Sequence, residues 1–296
     1  MSTPAPRPVP PPSRAAGTPP TLDHRAALWR ADLAEIGLAG HVLAASYAEP
    51  MRLRCVQPHV PMFAKADSQG APVSELLWGE PFDAIELSGG WAWGRSVHDG
   101  YCGYVHATAL APAGAEPTHR VSERLALVFA TPSIKAPVIQ RLPFGSRLHA
   151  TEAEGRFLAL ESGGYLHDRH TAPVTATEAD PVAIAEKFLG APYGWGGRSE
   201  AGIDCSGLVQ VALQACGIAC PRDSDQQRER VGSALNDAAP LSRGDLVFFP
   251  GHVGLMADAD QLLHANAYWM RVVTEPVADA VARGNQITAV RRLRAL

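Results

Sequence analysis

Tyr193-Gly-Trp-Gly-Gly-Arg-Ser-Glu-Ala-Gly-Ile-Asp-Cys205-Ser-Gly-Leu-Val-Gln210 places a cysteine at the first turn of a helix. Asp204-Cys205-Ser206-Gly207 opens a run in which Leu208, Val209, Ala212, Leu213 and Cys216 recur at helical spacing until Gly217 stops it. Unpaired N–H groups and the positive end of the helix dipole face such a thiol. They favour the thiolate, which lowers a thiol pKa from about 8.5 into the range of roughly 3.5–7.5.

Two histidines follow in apolar, strand-like contexts. Asp245-Leu-Val-Phe-Phe-Pro250 reads as a strand and leads into Gly251-His252-Val-Gly-Leu-Met256; Gln261-Leu-Leu-His264-Ala-Asn-Ala267 reads as the next, with Met270 to Thr274 and Ile287 to Leu293 as two more. A thiol at a helix start, an imidazole on a strand and a polar orienting group beside it form an activated-nucleophile arrangement, whose members are neighbours in the fold and not in sequence. Side chains directly opposite on paired strands have Cβ atoms about 4.5–5.5 Å apart, so the reading brings His252 and His264 together. Asn266 is the alternative orienting group.

These segments, in this order, closely resemble the NlpC-type papain-like cysteine peptidases of bacterial cell-wall metabolism: Asp204-Cys205-Ser206-Gly207-Leu208, Gly251-His252-Val253-Gly254, then His264-Ala265, with Tyr193-Gly-Trp-Gly-Gly197 and Leu241-Ser-Arg-Gly-Asp-Leu246 upstream of them. The resemblance runs from about Thr177 to Leu296. It implies a papain-like α+β fold with Cys205 as nucleophile, His252 as base and His264 as its orienter. It also implies that Tyr193 stabilises the oxyanion and that Asp204, Ser206 and Ser224 face the substrate.

The formal net charge of −4 and 19% charged residues leave no basic footprint for nucleic acid or anionic membrane. Met1 to Pro20 hold eight prolines and no apolar run, so the expectation is a disordered tail over residues 1–21, without a secretory h-region or membrane span. Five cysteines, an odd count, do not read as a disulfide framework. Cys216 and Cys220 lack partners at zinc spacing, and His167-Asp-Arg-His170 reads as structural because the aligned first copy of its repeat has one histidine only; no metal or organic cofactor is expected. A cytoplasmic location is the expectation.

Between Met51 and Pro173 the chain repeats itself: Gly103-Tyr-Val-His-Ala-Thr-Ala-Leu-Ala-Pro112 aligns without gaps to Gly164-Tyr-Leu-His-Asp-Arg-His-Thr-Ala-Pro173. Short strand-like runs and Gly-rich turns such as Ser88-Gly-Gly90 precede both copies, the pattern of small antiparallel barrels. The expected layout is a helical lead over residues 22–50 that packs on the barrels, a first barrel over 51–115, a second over 116–175 and a peptidase domain over 176–296. The barrels resemble bacterial Src-homology-3-like domains. Two of them before an NlpC-type domain are similar to the γ-D-glutamyl-L-diamino-acid endopeptidases of murein peptide recycling. That resemblance implies that an acid and a tyrosine of the first barrel bind the free amine of the substrate. Tyr101 matches the tyrosine, and points outward if Tyr104, three residues on, packs inward; the acid is Glu75 or Glu80, with Glu75 favoured.

The reading is therefore a cysteine endopeptidase that cleaves the γ-D-glutamyl–diamino acid amide of murein-derived peptides with a free N-terminal L-Ala. An exported hydrolase of intact wall, or a thiol amidase or acyltransferase on the same fold, are the alternatives; a binding module with a dead catalytic domain is disfavoured because Cys205, His252 and His264 are all present.

Overall fold

Gly89 and Gly90 both adopt positive φ (58° and 83°), the mirror-image turn that matches strand twist, and so close a hairpin between Pro81–Ser88 and Trp91–Ser96. Five further strands join it, giving a seven-stranded antiparallel sheet with the spatial order 72–77, 59–63, 102–106, 91–96, 81–88, 51–55, 110–112. Alternate residues turn inward, so Leu53, Val60, Met62, Leu76, Phe82, Ala92 and Val105 form one core. This computed structural model describes residues 22–236, 239–284 and 286–293; the Pro-rich stretch expected to be a disordered tail lies outside the described residues.

The internal repeat is repeated structure. Strand Cys102–His106, a 3-10 turn at Ala107–Ala109 and strand Leu110–Pro112 recur as Tyr165–His167, Asp168–His170 and Thr171–Pro173. Residues 119–173 build a five-stranded and a three-stranded sheet around a separate core of Val121, Ala126, Val128, Leu142, Leu158 and Leu166.

The lead departs from expectation. Residues 22–50 contain no α-helix; Leu33–Glu35 pairs in parallel with Ser46–Ala48 around a short 3-10 turn at Ile36–Leu38. Its polar residues have partners on the first sheet unit that an extended chain reaches and a helix would turn away. Arg30 lies 4.1 Å over the Trp93 ring and donates to Glu86 and Tyr104, while Glu35 accepts both Arg95 Nη groups. Leu28 is buried with Ile85, Trp93 and Cys102 of the first unit. Tertiary contact overrides helical periodicity here.

In the C-terminal region, helix Cys205–Ala215 ends at Gly217, which takes the left-handed φ of 75° expected of a helix stop. Leu208, Val209, Ala212 and Leu213 pack on Val253, Leu255, Leu263 and Ala265 of a six-stranded antiparallel sheet, ordered 233–234, 289–292, 246–249, 252–256, 261–266, 271–276. Every residue of Leu246–Phe249 is buried, which explains why that strand reads as an unbroken apolar run. Among the described residues, no helix is long and apolar enough to cross a membrane.

Candidate active site

The glycines of the 193–207 stretch are there because backbone must pass close to backbone. A Cβ on Gly197 would lie 2.1 Å from the Gly202 carbonyl oxygen, and one on Gly207 2.4 Å from that of Gly197. This contact seats the loop on the first turn of the cysteine helix. Asp204 caps that helix, accepting from Gly207 N at 2.7 Å, and its other oxygen accepts from Gly196 N at 2.8 Å. The Arg222 guanidinium donates to both Asp204 oxygens at 2.9 and 2.7 Å and to Ser206 Oγ at 2.9 Å. Asp204 lines the cleft, as does Ser206, but its lone pairs are already taken by this buried cluster. It is a strut of the site, and a poor acceptor for a further donor.

His252 and His264 do come together, by a different geometry from the one expected. Leu255 pairs with Leu263, and continuing that register sets Gly254, not His252, opposite His264. A Cβ on Gly254 would meet the His264 Cβ at 3.0 Å. The missing side chain lets the imidazoles meet on the diagonal, His252 Nε2 to His264 Nδ1 at 2.9 Å. His264 Nε2 in turn lies 2.9 Å from Glu275 Oε1. Glu275 was missed by sequence reasoning because nothing marks one strand glutamate above the rest. Trp269 Nε1 donates to its second oxygen at 2.9 Å and Arg283 pairs with the first. Asn266 Nδ2 lies 3.3 Å from the His264 ring.

The relay sets the tautomers. Burial opposes ionisation of Glu275, but Arg283, the Trp269 N–H and His264 hold it below its ordinary value, so it is a carboxylate. It accepts from His264 Nε2–H. His264, kept neutral mainly by burial, then presents a bare Nδ1 that accepts from His252 Nε2–H. His252 is left with Nδ1 as its free acceptor. The Cys205 sulfur lies within reach of the N–H of Val253, the residue that follows His252.

The thiol does not behave as its helix position alone predicts. Burial first, then the Asp204 charge, push it up to about 11, although the Val253 and Ser206 N–H groups and Arg222 pull the other way. Burial and the neighbouring His264 lower His252 to about 4. With the thiol raised and the imidazole lowered, both groups rest in their neutral forms. The remaining cysteines, Cys55, Cys102, Cys216 and Cys220, are also free and buried, each with its pKa raised by burial.

A cleft of about 410 Å³ lies over the sulfur, lined by Tyr193, Trp195, Asp204, Cys205, Ser206, Asp223, Ser224 and Asp225, and by Val73 and Tyr101 of the first sheet unit. Burial and Cys205 push the Tyr193 phenol up to about 12, so it keeps its proton. Tyr101 reaches the cleft by the reverse of the expected orientation. Its ring is buried in the core of the first unit while Tyr104 stacks toward the lead, and its hydroxyl donates to Asp223 Oδ2 at 3.0 Å.

Glu75 is not brought to this cleft. Glu75 Oε2 accepts from Arg198 N at 2.9 Å and its other oxygen pairs with His59 at 2.9 Å. Glu80, the other candidate, is buried in a two-pronged pair with Arg198, at 2.9 and 3.0 Å. Both acids tie the first unit to Arg198 of the C-terminal region; besides Asp204, the cleft is lined by Asp223 and Asp225, at the start of helix Ser224–Arg230. Among the described residues, no group of three or more metal-ligating side chains clusters as a metal site would.

Comparison with known proteins agrees with this architecture. Residues 190–291 match the NlpC/P60 family, and residues 62–110 match the bacterial dipeptidyl-peptidase Sh3 domain. Dipeptidyl-peptidase 6 of Lysinibacillus sphaericus is 30% identical over 230 residues, covering 69% of this chain and 84% of the relative. A γ-D-glutamyl-L-lysine dipeptidyl-peptidase of Bacillus cereus is 30% identical over 200 residues, 62% of this chain and 56% of its own length. The crystal structure of an NlpC/P60 family protein from Bacillus cereus superimposes with a TM-score of 0.69 over 81% of this chain and 99% of that one, at 20% identity, a likeness of fold. The chain belongs to the NlpC/P60 peptidase family, and carries a bacterial SH3 domain ahead of its peptidase region.

Proposed function

We propose that this chain hydrolyses the amide between γ-D-glutamate and a diamino acid in murein-derived peptides whose N-terminal L-Ala is free. The observation that carries the reading is the acid-lined cleft: Asp223 and Asp225, with the Tyr101 hydroxyl on Asp223, line the same hollow as Cys205. A carboxylate pair there suits an ammonium group, whose burial without a partner would cost several kcal/mol. The relatives named for dipeptidyl-peptidase activity on γ-D-glutamyl-L-lysine supply the substrate class. Peptides with an unblocked L-Ala have already been released from the glycan, which favours a recycling role in the cytoplasm over attack on intact wall.

In the proposed reaction His252 Nδ1 takes the thiol proton as Sγ attacks the γ-carbonyl carbon, and the protonated Tyr193 phenol donates to the oxyanion. The tetrahedral intermediate collapses by breaking the C–N bond. His252 returns its proton to the leaving amine, and the acyl group stays on Cys205 as a thioester. Water, deprotonated by the same imidazole, then attacks the thioester carbon; the C–S bond breaks, Sγ regains the proton from His252, and the L-Ala-γ-D-Glu acid leaves. His264 and Glu275 hold the base in its tautomer and stabilise its cation.

Incubation with L-Ala-γ-D-Glu-diaminopimelate and with its N-acetylated form, followed by mass analysis, tests the substrate. Cleavage of the first between glutamate and diaminopimelate, with the second and whole sacculi nearly inert, is the expected result. Comparable cleavage of sacculi and free tripeptide defeats the reading in favour of a wall hydrolase.

The pH profile tests the relay. A base lowered to about 4 is competent above that pH, so the acid limb of kcat/KM should lie well below the ordinary imidazole range near 6.5. Glu275 raises the His252 pKa by charge, so Glu275→Gln should move that limb still lower, and reduce kcat about 10²–10⁴-fold by losing the tautomer and the cation's partner. An acid limb that moves up in the variant, or a kcat within threefold of wild type, counts against the relay.

A further inference from the structure

Two hollows lie side by side along the first sheet unit. One is the catalytic cleft. The other, about 420 Å³, is walled by Arg25, Ala27 and Trp29 of the lead and by Trp93 and Tyr104 of the sheet; Val73 and Tyr101 line both hollows. At their boundary, beside Val73 and Tyr101, stands Arg25. Arg25 Nη1 donates to Asp223 Oδ2 at 2.9 Å and to Asp225 Oδ1 at 3.0 Å, and Nη2 donates to Asp225 Oδ2 at 2.9 Å and Asp23 Oδ2 at 2.8 Å. Asp223 and Asp225 line the cleft with Asp204, so the lead, nearly two hundred residues earlier in the chain, reaches directly into the site.

We propose that Arg25 is a specificity-determining residue, dividing the cleft from the second hollow so that the peptide before the scissile bond must end in an unblocked ammonium beside Asp223 and Asp225. This rests on the free-amine reading above. The planar guanidinium fork is held by three carboxylates at once, a geometry that an ammonium-bearing lysine cannot copy. Asp23, Asp204, Asp223 and Asp225 carry four negative charges against the two positive charges of Arg25 and Arg222, so an ammonium arriving from the cleft side meets a cluster that is still acidic. An acyl group on the same nitrogen has no charge to offer and must continue into the space that the fork closes. The device rejects the longer ligand by obstruction as well as attracting the shorter one by charge. Without the fork, the two hollows join, and the apolar and aromatic wall of Trp29, Trp93 and Tyr104 becomes a channel for that acyl group.

The experiment uses the full-length chain and the free and N-acetylated tripeptides. Arg25→Ala is expected to lower the ratio of kcat/KM for the free over the acetylated peptide at least tenfold, because KM for the acetylated peptide falls. Arg25→Lys, which keeps the charge and loses the fork, should recover part of the ratio. Ala27→Phe in the Arg25→Ala background fills the second hollow and should cancel the gain on the acetylated peptide. A merely structural role would instead reduce both substrates together and lower the melting temperature. A ratio unchanged by Arg25→Ala, a parallel loss on both peptides, or a gain that survives Ala27→Phe overturns the inference. Equal cleavage of both peptides by the wild type strikes the free-amine reading itself; a discriminating wild type whose ratio survives Arg25→Ala strikes this inference alone.

Discussion

Cys205→Ala is expected to abolish amide hydrolysis, a loss on the order of 10⁴-fold or more, because it removes the sulfur proposed to form the acyl bond. The fold should survive. The side chain is small and buried against Val253 and Leu208 in a large core, and the helix keeps its Asp204 cap, so melting should shift by no more than a few degrees. His252→Ala should be nearly as damaging, and the double variant no worse than either single one, since thiol and imidazole act as one unit. His264→Ala should cost less, because it removes orientation and leaves the proton carrier in place. Steady-state turnover of the tripeptide checks all four variants. Residual turnover in pure Cys205→Ala protein would end the nucleophile assignment. Losses that multiply in the double variant would mean that His252 acts independently of the thiol. Alkylation carries a related expectation. With the thiol held near 11, iodoacetamide should label Cys205 slowly at neutral pH, and faster as pH rises toward that value.

Arg222→Met should destabilise the protein by about 3–5 kcal/mol, the cost of leaving a buried carboxylate without its cation. Arg222 is 1% exposed and donates to both oxygens of Asp204, to Ser206 Oγ and to the Gly197 carbonyl. It thereby ties the glycine loop, the helix cap and the cleft floor into one cluster. Burial works against the charge on Arg222, and Asp204 restores it, so the two ions depend on each other. Urea unfolding should show the midpoint moving with the slope unchanged. Adding Asp204→Asn to Arg222→Met should recover part of the loss, because the stranded charge is then gone. A change below 1 kcal/mol, or a double variant less stable than Arg222→Met, would show that the pair is not the prop described here. Activity should fall with stability, because the same cluster holds Cys205 at the helix start.

Some of this architecture follows from local sequence rules. The Asp204 cap, the apolar spacing of Leu208, Val209, Ala212 and Leu213, and the Gly217 stop define the Cys205–Ala215 helix by the positions of its own residues. The aligned stretches 103–112 and 164–173 form the same strand, turn and strand because the turn geometry is set locally. The Gly-His-Val-Gly stretch, with a glycine two residues after the histidine, holds the diagonal contact in its own pattern, although only the register shows that the glycine makes it.

Partnership among ionisable groups was not local. Glu75, the favoured cleft acid, and Glu80 both fit the sequence pattern; the docking of Arg198, a residue of the distant peptidase region, takes both of them. The lead has the spacing of an amphipathic helix, yet Arg30 and Glu35 find Trp93, Glu86 and Arg95 only in an extended chain. The position of Cys205 at a helix start favours a thiolate, and burial beneath the cleft reverses that preference. Sequence by itself determined the helix, the strands, the repeat and the identity of the thiol and imidazoles, because periodicity, capping and turn chemistry act within a few residues. Tertiary structure alone decided which acids face the cleft, which histidine nitrogen carries the proton, and that Arg25 reaches Asp223, because desolvation and charge pairing depend on which distant surfaces close over each group.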